Sequence, residues 1–370
     1  MGASYRWRDR TSPLNPIWPF APVLLEDELL SSWLVRCALA NGCDPLTLTG
    51  SVWPRFRFWC GDPDKHLSHE RAAALSDLSG LEPCVIEGAT LTSFRSLLGA
   101  ESEYPNAVRP WILCLGIRNR RRSGGLQYCP QCFSEFEPHY GFQNRLSWHS
   151  GCPVHGLTFV DHCQDCGAPL CPQLLTCPHT NLARCHRCGF ELRRAKTGTL
   201  SGDALLFQHA ADTTLIEGVA AYGKELLDVT DWFYLCRWLL GILRSSAKTR
   251  SDCMRGFFDS LNIDFDALTL PVIGLPFEYL SPSDRAGLLA NMWRMLRAGP
   301  ERLLEASGLV PIAPSSIPQP VGLAPECVAS FLSTLRPGRQ KADNGRRKGM
   351  PRAVSNVVMR WQRLLRKFQR

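Results

Sequence analysis

The feature that most constrains this chain is a row of four close ligand pairs near its middle. They are Cys129-x-x-Cys132, Cys152-x-x-His155, Cys163-x-x-Cys166 and Cys185-x-x-Cys188. Nineteen residues separate the first two pairs and 18 separate the last two; shifts of 34 and 33 residues carry pairs one and two onto pairs three and four. The pattern is a duplicated four-ligand unit, with histidine in the last position of the first copy. Zinc takes four tetrahedral sulfur or nitrogen ligands, and two ligands on one tight turn supply half of such a set. CPQC, CPVH, CQDCG and CHRCG are such turns, with Pro or Gly beside the ligands to shape them. The expectation is a tandem zinc-ribbon module with two structural zinc ions, each worth on the order of 10–16 kcal/mol in small finger peptides. Cys171, Cys177 and His179 lie between the halves of the second copy and could displace a member. The repeated spacing favours Cys163, Cys166, Cys185 and Cys188.

Other cysteine chemistries fit less well. A disulfide framework needs an oxidising compartment. The N-terminal MGASYRWRDRTSPLNP has arginines but no apolar run behind them, so it does not read as a secretory signal. The longest apolar run, WFYLCRWLLGIL at 232–243, is too short to span a bilayer and contains Arg237. The expectation is a soluble, cytoplasmic protein with no membrane association and with its 17 cysteines reduced. A thioredoxin-like CxxC requires a βαβ setting that this Pro/Gly-rich stretch lacks. A zinc deaminase requires an HxE motif, which neither His66 nor His69 supplies. Eight ligands in two closed sites leave no open metal position. Glu135, Glu137 and Asp165 are scattered rather than clustered, so no enzyme is expected.

Around the ribbons the pattern is helical. The stretch DELLSSWLVRCALANG sets Leu29, Leu30, Trp33, Leu34 and Cys37 at helical spacing, with Glu26, Asp27 and Glu28 favouring the start and Asn41-Gly42 the end. SVWPRFRFWCGDPDKH reads as an ordered loop. SHERAAALSDLSGLEPCVIEGATL reads as two short helices meeting at Gly80, the first capped by Ser68 and the second opened by Glu82-Pro83. That is a helix-turn-helix shape. The acidic second helix suits DNA poorly, so a protein-docking surface stands beside base readout. Further on, DWFYLCRWLLGILRSS is apolar nearly all round, as a core helix would be. Ser281-Pro282 opens another helix, PERLLEASG makes a short one, PIAPSSIPQPVGLAP is a linker or wrapped loop, and GLAPECVASFLSTLRPG supplies another short helix. The fold class is therefore mainly α with small β. Its expected domains are a helical, helix-turn-helix-like 1–125, tandem zinc ribbons over 126–195, a helical 196–335 and a basic tail over 336–370.

Charge is concentrated in that tail. Residues 336–370 hold 12 Lys/Arg against the single acid Asp343, while the other 335 residues hold 30 basic and 33 acidic groups. Within the tail, Val354, Val357, Val358, Trp361, Leu364, Leu365 and Phe368 mark an amphipathic helix with its arginines mainly off the apolar stripe. Docking of that stripe on the chain itself or on a second copy is the expectation. Arg346, Arg347, Lys348, Arg360, Arg363 and Lys367 are candidate contacts to DNA, RNA or a ribonucleoprotein. So are Arg118, Arg120, Arg121 and Arg122, just ahead of the first ligand pair.

The run DELLSSWLVRCALANG, then WILCLGIRNRRRSGGLQYCPQC, then FQNRLSWHSGCPVHGLTFVDHCQDCGAPL resembles the TniQ family of transposon target-selection proteins over residues 20–190. The resemblance implies a non-catalytic adaptor for transposition. Such a protein links a target-recognition element, an RNA-guided Cascade complex or a DNA site, to an AAA+ ATPase that recruits the transposase, in some systems as a homodimer. It carries the metal-ligand role onto the same eight residues. Arg145 and Trp148, in NRLSW, fit the basic and aromatic pattern ahead of the third ligand, with Trp148 packing on the ribbon. The reading from another class is a stand-alone zinc-ribbon DNA-binding regulator.

Overall fold

The computed structural model describes residues 18–97, 109–115, 125–249, 251–268, 275–310, 312, 314–320 and 322–335. Five helices form the N-terminal part: α1 (Leu30–Ala40), α2 (Pro45–Val52), α3 (His69–Ser79), α4 (Pro83–Gly88) and α5 (Thr92–Leu97). α1 is the central one. Its Leu30, Trp33, Leu34, Cys37 and Ala38 are fully buried against Leu48, Phe58, Leu67, Ala72, Leu75 and Ile86, so the stripe read from spacing is the stripe that packs. Asn41 receives the last turn and Gly42 follows in the left-handed region at φ 65°. α3 ends at Gly80, whose φ of 70° favours glycine, and Pro83 opens α4. The helix-turn-helix outline is present; Ser68 stands at the cap position, yet its side chain makes no capping bond.

One of the acids ahead of α1 does more than face the helix dipole. Glu28 is buried, and its carboxylate accepts from Ser32 Oγ at 2.8 Å, Arg36 Nη1 at 2.6 Å and the Leu25 N–H at 3.1 Å. Burial raises its pKa, with Arg36 opposing.

After α6 (Pro130–Glu135) and the cysteine-rich turns come α7 (Gly202–Glu217), the antiparallel hairpin β1 (Val219–Tyr222) and β2 (Glu225–Asp228), then α8 (Val229–Thr249) and α9 (Asp252–Ser260). The chain continues through α10 (Pro282–Leu309) and α11 (Glu326–Thr334). The hairpin is the only sheet among the described residues, so the class is mainly α. α10 is two helices joined at a kink: Gly299 leaves helical backbone at φ 78° ahead of Pro300. Its start is capped as the sequence suggests, Ser281 Oγ accepting the Asp284 N–H at 3.2 Å. The proline-rich stretch after α10 wraps back, with Ile312 and Ile317 buried and Pro318 O accepting from Trp238 Nε1 at 3.0 Å. No described helix is long and apolar enough to cross a membrane.

One apolar core joins the cysteine-rich segment to the C-terminal helices. Trp148 is fully buried there, 5.1 Å from Phe233 of α8 and edge-on to Trp111 at 6.4 Å, with its Nε1 donating to Asp212 at 2.9 Å. It therefore ties the segment to α7 and α8 and does not merely lie on the metal-ligand turns.

A polar network crosses from the N-terminal helices to the same segment. Arg145, fully buried, donates from Nη2 to Asp62 at 2.6 Å and from Nη1 to Asp64 at 2.9 Å, and also caps Leu113 O at 3.0 Å. Asp64 in turn accepts from the N–H and the Oγ of Ser31, both at 2.8 Å. Burial pushes Asp64 up to about 6, against the pull of Arg145. A folded-state pKa above the unfolded one means that Asp64 contributes stability below about pH 4 and loses that contribution as pH rises through about 6. Unfolding free energy of the native chain, measured relative to Asp64→Asn, should accordingly fall by an amount of kcal/mol order between those pH values. A flat difference would mean that the carboxylate is ionised throughout.

Candidate metal centres

Three of the four ligand pairs are built on one backbone motif. The N–H of Gly156, Gly167 and Gly189 donates to the carbonyl of Cys152, Cys163 and Cys185, each at 2.9 Å. The N–H of those cysteines donates back across the turn to Leu157, Ala168 and Phe190 at 2.8, 2.8 and 2.9 Å. Gly156, Gly167 and Gly189 take φ of 61°, 67° and 73°, where a side chain would be strained. The first pair is built differently: Cys129 precedes Pro130 at the start of α6, and Cys132 lies in its first turn. Phe133 anchors that turn in the core, stacked on Tyr128 at 5.0 Å and edge-on to Tyr140 at 5.5 Å.

These turns bring the ligand atoms into two groups, Cys129, Cys132, Cys152 and His155, and Cys163, Cys166, Cys185 and Cys188, each with its ligand atoms within 4.8 Å of one another. In the first, His155 Nδ1 lies 3.5, 3.3 and 3.4 Å from the sulfurs of Cys129, Cys132 and Cys152, and Cys132 Sγ is 3.4 Å from Cys152 Sγ. In the second, Cys163 to Cys188 and Cys166 to Cys185 are 3.6 and 3.7 Å apart. A disulfide would require about 2.05 Å. Two thiolates at about 2.3 Å from one tetrahedral ion stand about 3.8 Å apart. The spacings match a shared cation, and all 17 cysteines are free thiols.

Charge makes the same argument. Hydrogen bonds from Cys132 and Cys152 pull Cys129 down to about 2, while those to Cys129 and Cys152 push Cys132 far above the thiol range. Three sulfurs this close cannot all be thiolates without a compensating cation. Backbone donors favour the anionic form too, His155 N–H to Cys152 Sγ and Arg187 N–H to Cys185 Sγ, both at 3.4 Å. The donor set suits zinc, which would be fully enclosed by four ligands in each group and would supply folding energy there.

A residue the sequence reading treated as scattered has a place here. Glu135 Oε2 accepts from His155 Nε2 at 3.0 Å, which turns Nδ1 toward the sulfurs and raises the imidazole pKa. The signal was its position in a helix opened by Cys-Pro, one turn beyond Cys132. Cys171, Cys177 and His179 lie outside both groups. Cys177 instead donates its thiol to Gly42 O at 3.0 Å and its N–H to Asp44 at 2.7 Å, joining the second ribbon to the N-terminal helices; His179 turns back on Thr176. Arg118, Arg120, Arg121 and Arg122, and Arg346, Arg347, Lys348, Arg360, Arg363 and Lys367, lie outside the described residues.

Residues 19–158 match the protein-family model TniQ, a span that runs from before α1 through the first ligand group and stops short of the second. No curated protein matches the chain.

Proposed function

The chain belongs to the TniQ family through residues 19–158, and from this we propose that it is a non-catalytic adaptor in targeted DNA transposition. In this reading it links a target-recognition element, either an RNA-guided complex or a DNA site, to an AAA+ ATPase and so to the transposase. Family membership is the observation that carries the proposal. Two closed four-donor groups support it by suiting zinc in a purely structural role. Their rigid turns would hold the N-terminal helices and α7 to α11 in one frame, as a bridge between two large partners requires. The arginine-rich 118–122 stretch and the tail over 336–370 would meet nucleic acid or a ribonucleoprotein, and a second copy would complete the adaptor.

Affinity purification of the tagged full-length chain should retain an AAA+ ATPase together with the recognition element. Removing 336–370 should weaken nucleic-acid retention at low salt while the metal content stays at two ions per chain, one for each ligand group. Tight, sequence-specific duplex binding by the isolated protein, with no ATPase retained, would instead identify a stand-alone regulator.

A further inference from the structure

The segment over 53–59, which runs from the end of α2 into the turn Phe58–Cys60, alternates aromatic and basic residues after Pro54: Trp-Pro-Arg-Phe-Arg-Phe-Trp. Its rings form one cluster. Trp53 stacks on Phe58 at 4.9 Å, Phe58 meets Trp59 edge-on at 5.1 Å, and Phe56 stands edge-on to both Trp53 and Phe58 at 6.5 and 6.4 Å. Phe58 belongs to the core and fixes the loop, but Phe56 remains 42% exposed. Arg71, from the first turn of α3, lays its guanidinium over the Phe56 ring at 3.7 Å. Arg55 and Arg57 are the neighbours of Phe56 in the chain, and both are exposed. None of the three arginines has a carboxylate within ion-pair distance among the described residues.

An exposed ring gains nothing from water, and three arginines on or next to it in the chain, with no ion-pair partner among the described residues, raise the local positive potential. A ring–guanidinium stack with an exposed arginine on either side in the chain has a natural complement: a nucleobase for the stack and phosphodiesters for the arginines. A duplex keeps its base faces stacked within itself, so the complement is an unpaired strand. We propose that the 53–59 loop and Arg71 bind unpaired bases of a nucleic-acid strand, with Phe56 and Arg71 taking a base and Arg55 and Arg57 its flanking phosphates. The assignment uses neither the metal groups nor the basic tail, and it stands whether or not the chain bridges an ATPase.

Purified full-length protein should be titrated, by fluorescence anisotropy, against four labelled probes about twelve units long: oligothymidine, oligouridine, an abasic deoxyribose-phosphate strand, and a duplex. The base-bearing strands should bind more tightly than the abasic one, whose binding reports charge alone. Phe56→Ala should weaken binding of the base-bearing strands roughly five- to hundred-fold and leave the abasic strand unchanged. Phe56→Trp should retain binding, which guards against a merely unfolded variant. Arg55→Gln with Arg57→Gln should lower the slope of log affinity against log salt by about 1.4. The stronger of the thymidine and uridine strands identifies whether DNA or RNA is the natural source. Equal affinity for abasic and base-bearing strands, tighter binding of the duplex, or indifference to Phe56→Ala would overturn the assignment.

Discussion

Stripping metal from the purified chain should release two zinc ions and unfold far more than the ligand turns themselves. Each ion would close a four-donor group, and in finger peptides such binding is worth on the order of 10–16 kcal/mol at neutral pH. That equals or exceeds the entire stability of an ordinary domain, about 5–15 kcal/mol. The turns have little apolar content of their own to replace it. Cys163, Cys185, Tyr128 and Phe133 lie in the same apolar core as Phe233 and Leu239 of α8, so loosening the turns removes one wall of that core. Loss of near-UV circular dichroism and new protease cleavage should therefore extend beyond the cysteine-rich segment into α7 and α8. Metal analysis near zero or one ion per native chain would break the argument at its base. Glu135→Gln gives a graded version. It keeps the ligands but replaces the anionic acceptor that orients His155 with a weaker, neutral amide oxygen, so zinc affinity should fall by up to about ten- to hundred-fold while saturated protein still holds both ions.

What the sequence disclosed and what it hid divide along a physical line. Elements set by local chemistry were legible. α1 follows from the spacing of Leu30, Trp33, Leu34 and Cys37, the α3–α4 turn from Gly80 and Pro83, and the break in α10 from Gly299-Pro300. The ligand groups were legible because each half-site is a four-residue turn and the duplication pairs the halves. Contacts decided by tertiary packing were not. Arg145 meets Asp64 and Asp62 across 81 and 83 residues, and nothing local to NRLSW or GDPD announces the meeting. Glu28 looked like a dipole partner for α1, whereas the fold buries it under Arg36. The β1–β2 hairpin escaped notice because VAAY and ELLD are four residues each, too short for an alternation to register.

Replacing Arg145 by methionine should cost roughly 3–5 kcal/mol of stability, because it keeps the side-chain volume and removes the cation that pairs with a fully buried carboxylate. Asp64 would retain its bonds from Ser31 but face Asp62 with nothing between them, and Leu113 O would lose its donor. An uncompensated buried acid avoids charge by taking up a proton, so the penalty should be smaller near pH 5 and grow toward pH 8. The direction follows from the native chain, where Arg145 already opposes the burial that raises Asp64. Urea unfolding at saturating zinc would report the loss as a lower midpoint. Combining Arg145→Met with Asp64→Asn should recover part of it and remove most of its pH dependence, since no buried charge at position 64 is then left stranded. Arg145→Lys should fall between, because one ammonium cannot reach both aspartates and Leu113 O as the planar fork does. A methionine variant as stable as the native chain at pH 8 would show that the N-terminal helices are held to the metal-ligand segment by apolar contact alone.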